Sequence, residues 1–323
     1  MKPEIGGEFW HIEKSGDNFF FPKKTHWFIS GRSALKAIIR ENDFKVVAVP
    51  DWCCDSIIKP FADAGIKVIF YPALSENCNI PKEADCAFVM DFFGYTGHSD
   101  TSSFDGSIIR DLTHSLFSAE YTDADYYFGS LRKWAGFATG GFAWGFKNPV
   151  SYEKDSTEFI SIREKSMEDK KCYIEGNTNC TEFLEALGGA EMILEDIGVH
   201  RASQKDIDSA HLLDISYIRT QRRKNARVLL DSLSEYAIFP TLKDTDCPMF
   251  VPIRVKKRNE LKLFLAERGI GCPAHWPLTA FHNGILENAK SIYNEELSLV
   301  CDQRYDENDM HRIVDAVKTF MTK

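Results

Sequence analysis

Five short apolar runs constrain what this chain can fold into: Lys45 to Pro50, Gly65 to Tyr71, Ala87 to Asp91, Ser107 to Asp111 and Ala124 to Phe128. Each is of strand length and apolar almost throughout. A helical segment (Asp55 to Ala64, for example) or a turn separates each from the next. A strand that is apolar on both faces must be covered on both faces, so the pattern predicts an α/β protein with a mostly parallel sheet. In such sheets ligands bind beyond the carboxyl ends of the strands. That rule puts Trp52, Phe93, Asp111, His114 and the turn Ser130 to Lys133 on one rim.

Lys133 is the most telling residue on that rim. It follows the aromatic run Tyr126-Tyr127-Phe128 and the pair Gly129-Ser130, and it precedes the small-residue loop that leads into Gly140-Gly141-Phe142. A lysine just past a buried strand is poorly placed to be solvated and well placed to act as a reactive amine. Pyridoxal 5'-phosphate would make its imine useful. The protein must then supply the lysine, an acid for the pyridine nitrogen, a phosphate cradle and a flat group against the ring. Lys133 is the lysine, and Asp111 at a strand end is the acid. His114, three residues on, is placed to hydrogen-bond the phenolic oxygen. Gly31, Arg32, Ser33 and Ala34 open a helical run after Ser30, where free backbone N–H groups and the helix dipole attract anions. With Ser130 they make the cradle, and Trp52 is the candidate for the ring face. Taken singly, each residue also has a structural reading: a turn cap, a core filler, a backbone-bonded histidine, an ordinary capped helix. Their shared place on one rim is what joins them.

The remainder of the chain is read more coarsely. A charged segment covers 158–172, a helix 181–197, and a long amphipathic helix 206–233, whose basic middle (Arg219, Arg222, Arg223, Lys224, Arg227) reads as a solvated face. An α+β unit follows, with a strand at 249–255, a helix at 258–268, an extended stretch at 271–277 and a closing helix from Asp306 to Met321. Residues 1–205 are expected to form the large domain, and 206–323 the linking helix and a small C-terminal domain. The 323 residues carry a net charge of −9 and no basic block, which argues against a nucleic-acid partner. No segment is apolar for long enough to span a bilayer, and the N-terminus lacks a signal-peptide pattern. The nine cysteines include no CxxC pair, so reduced, cytoplasmic thiols are expected, with no metal site. The sequon Asn179-Cys180-Thr181 has no secretory context to make it meaningful.

Four passages resemble the DegT/DnrJ/EryC1/StrS aminotransferases of the fold-type I pyridoxal-phosphate enzymes. They are Ser30-Gly31-Arg32-Ser33-Ala34-Leu35, Val49-Pro50-Asp51-Trp52-Cys53-Cys54, Asp111-Leu112-Thr113-His114-Ser115 and Ser130-Leu131-Arg132-Lys133. His275-Trp276-Pro277 and Leu297 to Tyr305 resemble the family's small domain. The resemblance implies a large domain with a mostly parallel, seven-stranded-type sheet flanked by helices, plus a small α+β domain. It implies ping-pong transamination through a Lys133 aldimine, with glutamate as donor and a keto-sugar, free or nucleotide-linked, as acceptor. It also implies a homodimer with the active site at its interface. Arg219, Arg254 and His275 are the candidates for holding a substrate carboxylate or phosphate. Two other readings stay open at this level: different cofactor chemistry such as a lyase or dehydratase, and a non-catalytic protein of the same fold that works by interaction. The chain is shorter than is usual for the family, and Arg132 stands beside the lysine where many members have a smaller or uncharged residue.

Overall fold

The computed structural model describes residues 4–15, 21–74, 80–97, 101–118, 121–153, 156–178 and 181–322. Asn179 and Cys180 of the sequon lie outside them. After a two-residue strand β1 (Ile5–Gly6), the chain builds one seven-stranded sheet from β2 (His26–Phe28), β3 (Val46–Pro50), β4 (Lys67–Tyr71), β5 (Cys86–Met90), β6 (Ser107–Asp111), β7 (Tyr126–Ser130) and β8 (Gly141–Trp144). Their spatial order is β2-β8-β7-β6-β5-β3-β4. The five strands expected from the apolar runs pair in parallel, and β8 and β2 add an antiparallel edge. β5 and β7 are buried along their whole length, and β3 and β6 at every residue but the first. That two-sided burial is why their sequences read as unbroken apolar runs.

Two helices, α1 (Gly31–Glu41) and α2 (Asp55–Asp63), flank the early strands. The Ser30 hydroxyl caps α1 by accepting the Ser33 N–H at 3.2 Å. Leu35, Ile38 and Ile39 turn the helix's apolar side into the core, and each such burial contributes roughly 1.5–3 kcal/mol. β8 passes directly beside the start of α1: a Cβ on Gly141 would lie 2.1 Å from the Ser30 carbonyl oxygen, so only glycine allows this approach.

The charged segment forms α3 (Thr157–Ile174), which packs on α4 (Phe183–Asp196). The single long helix expected over 206–233 is two: α5 (Gln204–Ala210) and α6 (Ile215–Leu233). Asp214 causes the break, because its carboxylate accepts the Tyr217 N–H at 2.9 Å and starts a new helix. The C-terminal half of α6 joins β9 (Phe250–Arg254), α7 (Arg258–Ala266), β10 (Ile270–Gly271), β11 (Glu296–Val300) and α9 (Glu307–Met321) around a second apolar core, and α8 (Glu287–Glu295) precedes β11. The N-terminal arm belongs to that core too. Ile5 is buried in it, and β1 pairs in parallel with β10. Gly6 has φ +100°, and a Cβ there would sit 2.2 Å from the Gly271 carbonyl oxygen. Arg304 grips the arm by donating to the carbonyls of Gly7 and Glu8 at 3.0 and 3.1 Å.

Among the described residues no helix is long and apolar enough to cross a membrane, and no group of three or more His, Cys, Asp or Glu is placed to hold a metal ion.

Candidate active site

Two cavities share a wall at the carboxyl ends of β6 and β7. The first, of about 250 Å³, is lined by Gly31, Arg32, Cys54, Asp111, His114, Ser130 and Lys133, with Glu191 and Trp276 closing it. The second, of about 450 Å³, lies on the small-domain side, and His114, Arg132, Lys133 and Trp276 line both. Lys133 therefore stands at the junction.

Lys133 ends a single 3-10 turn, Leu131–Lys133, that continues directly from β7. Leu131 is fully buried and its N–H donates to the Gly140 carbonyl at 2.9 Å, which fixes the turn. The lysine side chain is exposed to the two cavities rather than packed in the core, and the cavity walls displace part of its water. That desolvation holds its ammonium below the usual lysine range; Glu8 opposes that shift and Arg132 adds to it. The amine is thus biased toward the neutral form that a nucleophile or proton carrier needs.

Asp111 ends β6, and its carboxylate accepts the Thr113 N–H at 2.7 Å. Burial pushes its pKa up to about 6, although the Thr113 hydrogen bonds work the other way. Among the described residues it makes no ion pair. A buried carboxylate without a counter-charge is costly, and a cationic group in the cavity would relieve it.

His114 is buried, and its Nδ1 accepts the Phe93 N–H at 3.3 Å. Burial, His275 and Lys133 keep the ring neutral by pushing its pKa well below the ordinary value. With Nδ1 accepting, the ring proton is on Nε2, free to donate to a ligand oxygen.

Several of the residues named from sequence are not brought to this site. Ser33 is buried under α1, where its hydroxyl donates to the Gly198 carbonyl at 2.9 Å and accepts the His200 N–H at 2.9 Å. Ala34 is likewise buried in the core, so the cradle consists of Gly31, Arg32 and Ser130. Trp52 is fully buried, stacks on Phe92 with ring centres 4.9 Å apart, and donates its Nε1–H to the His275 carbonyl at 2.8 Å. It fills core because its strand-end loop turns inward, and Cys54 reaches the cavity in its place. Arg219 donates to the Phe117 and Ser118 carbonyls and lines neither cavity. Arg254 is exposed and pairs with Glu295 at 2.9 Å. His275 does line the second cavity, with Nδ1 2.9 Å from the Ser298 hydroxyl.

The structure adds residues that the motifs did not reveal. Trp276 is the aromatic at the junction, nearly parallel to the His114 ring at 5.7 Å. In the sequence it stands only within His275-Trp276-Pro277, a stretch that resembles the family's small domain, with no role at the site. Arg132, which the sequence left without a role, pairs with Glu191 on α4. Arg32 and Arg163 approach the same carboxylate at 4.0 and 3.9 Å. Burial, Arg163 and Arg32 push Arg132 down to about 9, with Glu8 opposing. Arg32 Nη1, Arg132 Nε and Arg163 Nη1 are buried without a hydrogen-bond partner. The cradle thus holds a surplus of cationic donors around one glutamate.

No family model matches the chain, and no curated protein does. Solved structures do. A DegT DnrJ EryC1 StrS aminotransferase from Brucella abortus superposes with a TM-score of 0.62 at 16% identity, over 93% of this chain and 86% of that one. DesV of S. venezuelae, solved in complex with a ketimine intermediate, gives 0.64 at 15% identity, over 93% and 85%. Spr1654 of Streptococcus pneumoniae, solved in its PLP form, gives 0.62 at 16% identity, over 94% and 92%. At these identities the likeness shows the fold alone: the chain shares with these structures an α/β architecture with a mostly parallel central sheet flanked by helices.

Proposed function

We propose that the chain is a pyridoxal-phosphate-dependent aminotransferase of the DegT/DnrJ/EryC1/StrS kind. It would move an amino group from glutamate to a keto-sugar, free or nucleotide-linked. The observation that carries this reading is that Lys133 and Asp111 wall one cavity that begins at the N-terminus of a helix. Structures of the same fold that are described as aminotransferases, one of them in a PLP form, support it. As the family resemblance implies, the working unit would be a cytoplasmic homodimer with its active site at the interface.

The residues present fit the cofactor. Asp111 is a buried carboxylate without a counter-ion, and Arg32 and Arg132 offer buried donors without partners. When bound, the cofactor supplies a carbonyl carbon for the lysine amine and an electron-withdrawing ring. Asp111 would hold the proton on the ring nitrogen, and its own charge would be satisfied by doing so. His114 would donate its Nε2–H to the phenolic oxygen. Gly31, Arg32, Ser130 and Arg132 would hold the phosphate, and Trp276 is the aromatic available to the ring. Lys133 Nζ, biased to the neutral amine by desolvation within the cavities and by Arg132, would take the proton from the substrate carbon and return it one step later. Trp276 and the arm residues at the second cavity would limit water at that nitrogen.

The test is optical and chemical. Pyridoxal phosphate added to the purified protein should give a yellow species that borohydride fixes covalently to the peptide containing Lys133. The Lys133→Ala protein should stay colourless after the same treatment. A wild-type protein with no reducible chromophore overturns the reading.

A further inference from the structure

The second cavity contains charge that the proposed cofactor does not use. Of its three carboxylates, Asp302 pairs with Arg304 at 2.8 Å and Glu8 with Arg163 at 3.4 Å, while Glu4 is exposed and in no ion pair among the described residues. Arg132 is held by Glu191. Two other cations of the wall, Lys170 on α3 and Arg222 on α6, have no carboxylate within ion-pair distance among the described residues. Both are almost fully buried, at 2% and 1% exposure.

The surroundings of Arg222 fix its direction. Its Nε donates to Gln303 Oε1 at 2.7 Å, and its Nη1 to the Pro248 and Met249 carbonyls at 3.3 and 3.1 Å. Nη2 is left buried with no partner. The guanidinium lies 4.6 Å from the centre of the Trp134 ring. Lys170 Nζ lies 5.4 Å from the Trp10 ring centre, beside Gly7 of the N-terminal arm. Aromatic faces offset part of the cost of a buried cation but do not neutralise it. Two unpaired cations in one cavity of a chain with net charge −9 are an arrangement that an anionic ligand would complete.

We propose that the part of the second cavity bounded by Lys170 and Arg222 is a subsite for an anionic group, a carboxylate or a phosphate, on the molecule whose other end reaches Lys133. The subsite stands on the cavity itself. Only the placement of the ligand's other end rests on reading Lys133 as the reactive amine. Arg222 lies three residues along α6 from Arg219, and the two face different neighbours: Arg219 faces loop carbonyls, and Arg222 faces the cavity. The proposal makes Lys170 and Arg222 specificity residues, and it makes α3 and α6 the elements that read the substrate's charge.

The experiment is calorimetric titration, at low ionic strength, of protein pre-incubated with pyridoxal phosphate. Glutarate and inorganic phosphate are the two probes, run separately. Wild type should bind at least one probe at one site per chain. Glutarate binding identifies a carboxylate-bearing ligand, and phosphate binding a phosphorylated one. Lys170→Met should weaken that binding roughly tenfold or more, the usual scale for losing a charge-assisted contact, while the circular dichroism stays unchanged. Arg222→Lys, which keeps the charge and loses the fork, should weaken it as well. If Arg222→Lys does not fold, Lys170→Met decides alone. Binding of neither probe, or binding to folded Lys170→Met as tight as to wild type, overturns the subsite. Failure of the cofactor reading shows separately, as a missing chromophore in the same pre-incubated sample.

Discussion

His114 accepts the Phe93 N–H through Nδ1 at 3.3 Å, and that single contact decides what the ring can do. The proton must sit on Nε2, and burial keeps the ring neutral. The first prediction follows from it. His114→Gln, which retains a donor, should keep cofactor binding and turnover within about tenfold of wild type. His114→Leu should lose more than that, since a donor to a charged or polar oxygen is worth about 1.5–3 kcal/mol. Steady-state rates for the two variants check this, and equal rates would refute a donor role.

Asp111 gives a prediction of opposite sign for stability and activity. Its folded pKa of about 6 exceeds its ordinary value of 3.8, so the folded state takes up a proton more readily than the unfolded state. Stability from this group therefore rises as pH falls from about 6 toward 3.8, and at neutral pH the buried charge costs up to about 3 kcal/mol. Asp111→Asn should accordingly raise the melting temperature of the cofactor-free protein at pH 8 by a few degrees. The gain should shrink on going to pH 5, and amino transfer should be abolished. A lower melting temperature at pH 8 would contradict the account.

The two tryptophans should separate cleanly. Trp52→Ala empties a fully packed core position and should cost about 3–5 kcal/mol of stability. Trp276→Ala, at the junction of the cavities, should cost less than half of that while weakening pyridoxal phosphate binding about tenfold. Denaturant melts and cofactor titrations of both variants distinguish the roles. Cofactor binding lost in Trp52→Ala and kept in Trp276→Ala would reverse them.

Glu191 is the carboxylate approached by Arg32, Arg132 and Arg163. Removing its charge leaves buried guanidinium groups uncompensated. Glu191→Gln should therefore lower stability by about 1–3 kcal/mol. Inorganic phosphate or pyridoxal phosphate should restore more stability to this variant than to wild type, because the added anion replaces the lost charge. Melting curves with and without phosphate give the answer, and equal anion effects on both proteins would rule it out.

The sequence made the sheet legible because burial on both faces leaves a simple mark, an unbroken apolar run of strand length. It also carried Asp111, His114, Ser130 and Lys133 to one cavity, because in a parallel sheet strand ends share a rim. What it missed depended on orientation. Ser33 and Ala34 lie in the right helix but turn under it into the core. Nothing in Arg219-Thr220-Gln221-Arg222 says which arginine faces loop carbonyls and which a cavity. Asp214 broke a periodic stretch that reads as continuous, since a capping aspartate looks like any surface aspartate until its N–H partner is seen. The pairing of β1 with β10 joins residues far apart in sequence, and no local pattern announces it.

The central claim is amino transfer through Lys133, and one half-reaction tests it most directly. L-glutamate added to the pyridoxal-phosphate-loaded protein, with no acceptor present, should bleach the yellow species. It should release one 2-oxoglutarate per bound cofactor, and added 2-oxoglutarate should restore the colour. A chromophore that glutamate leaves unchanged, or bleaching that releases ammonia without 2-oxoglutarate, would contradict it.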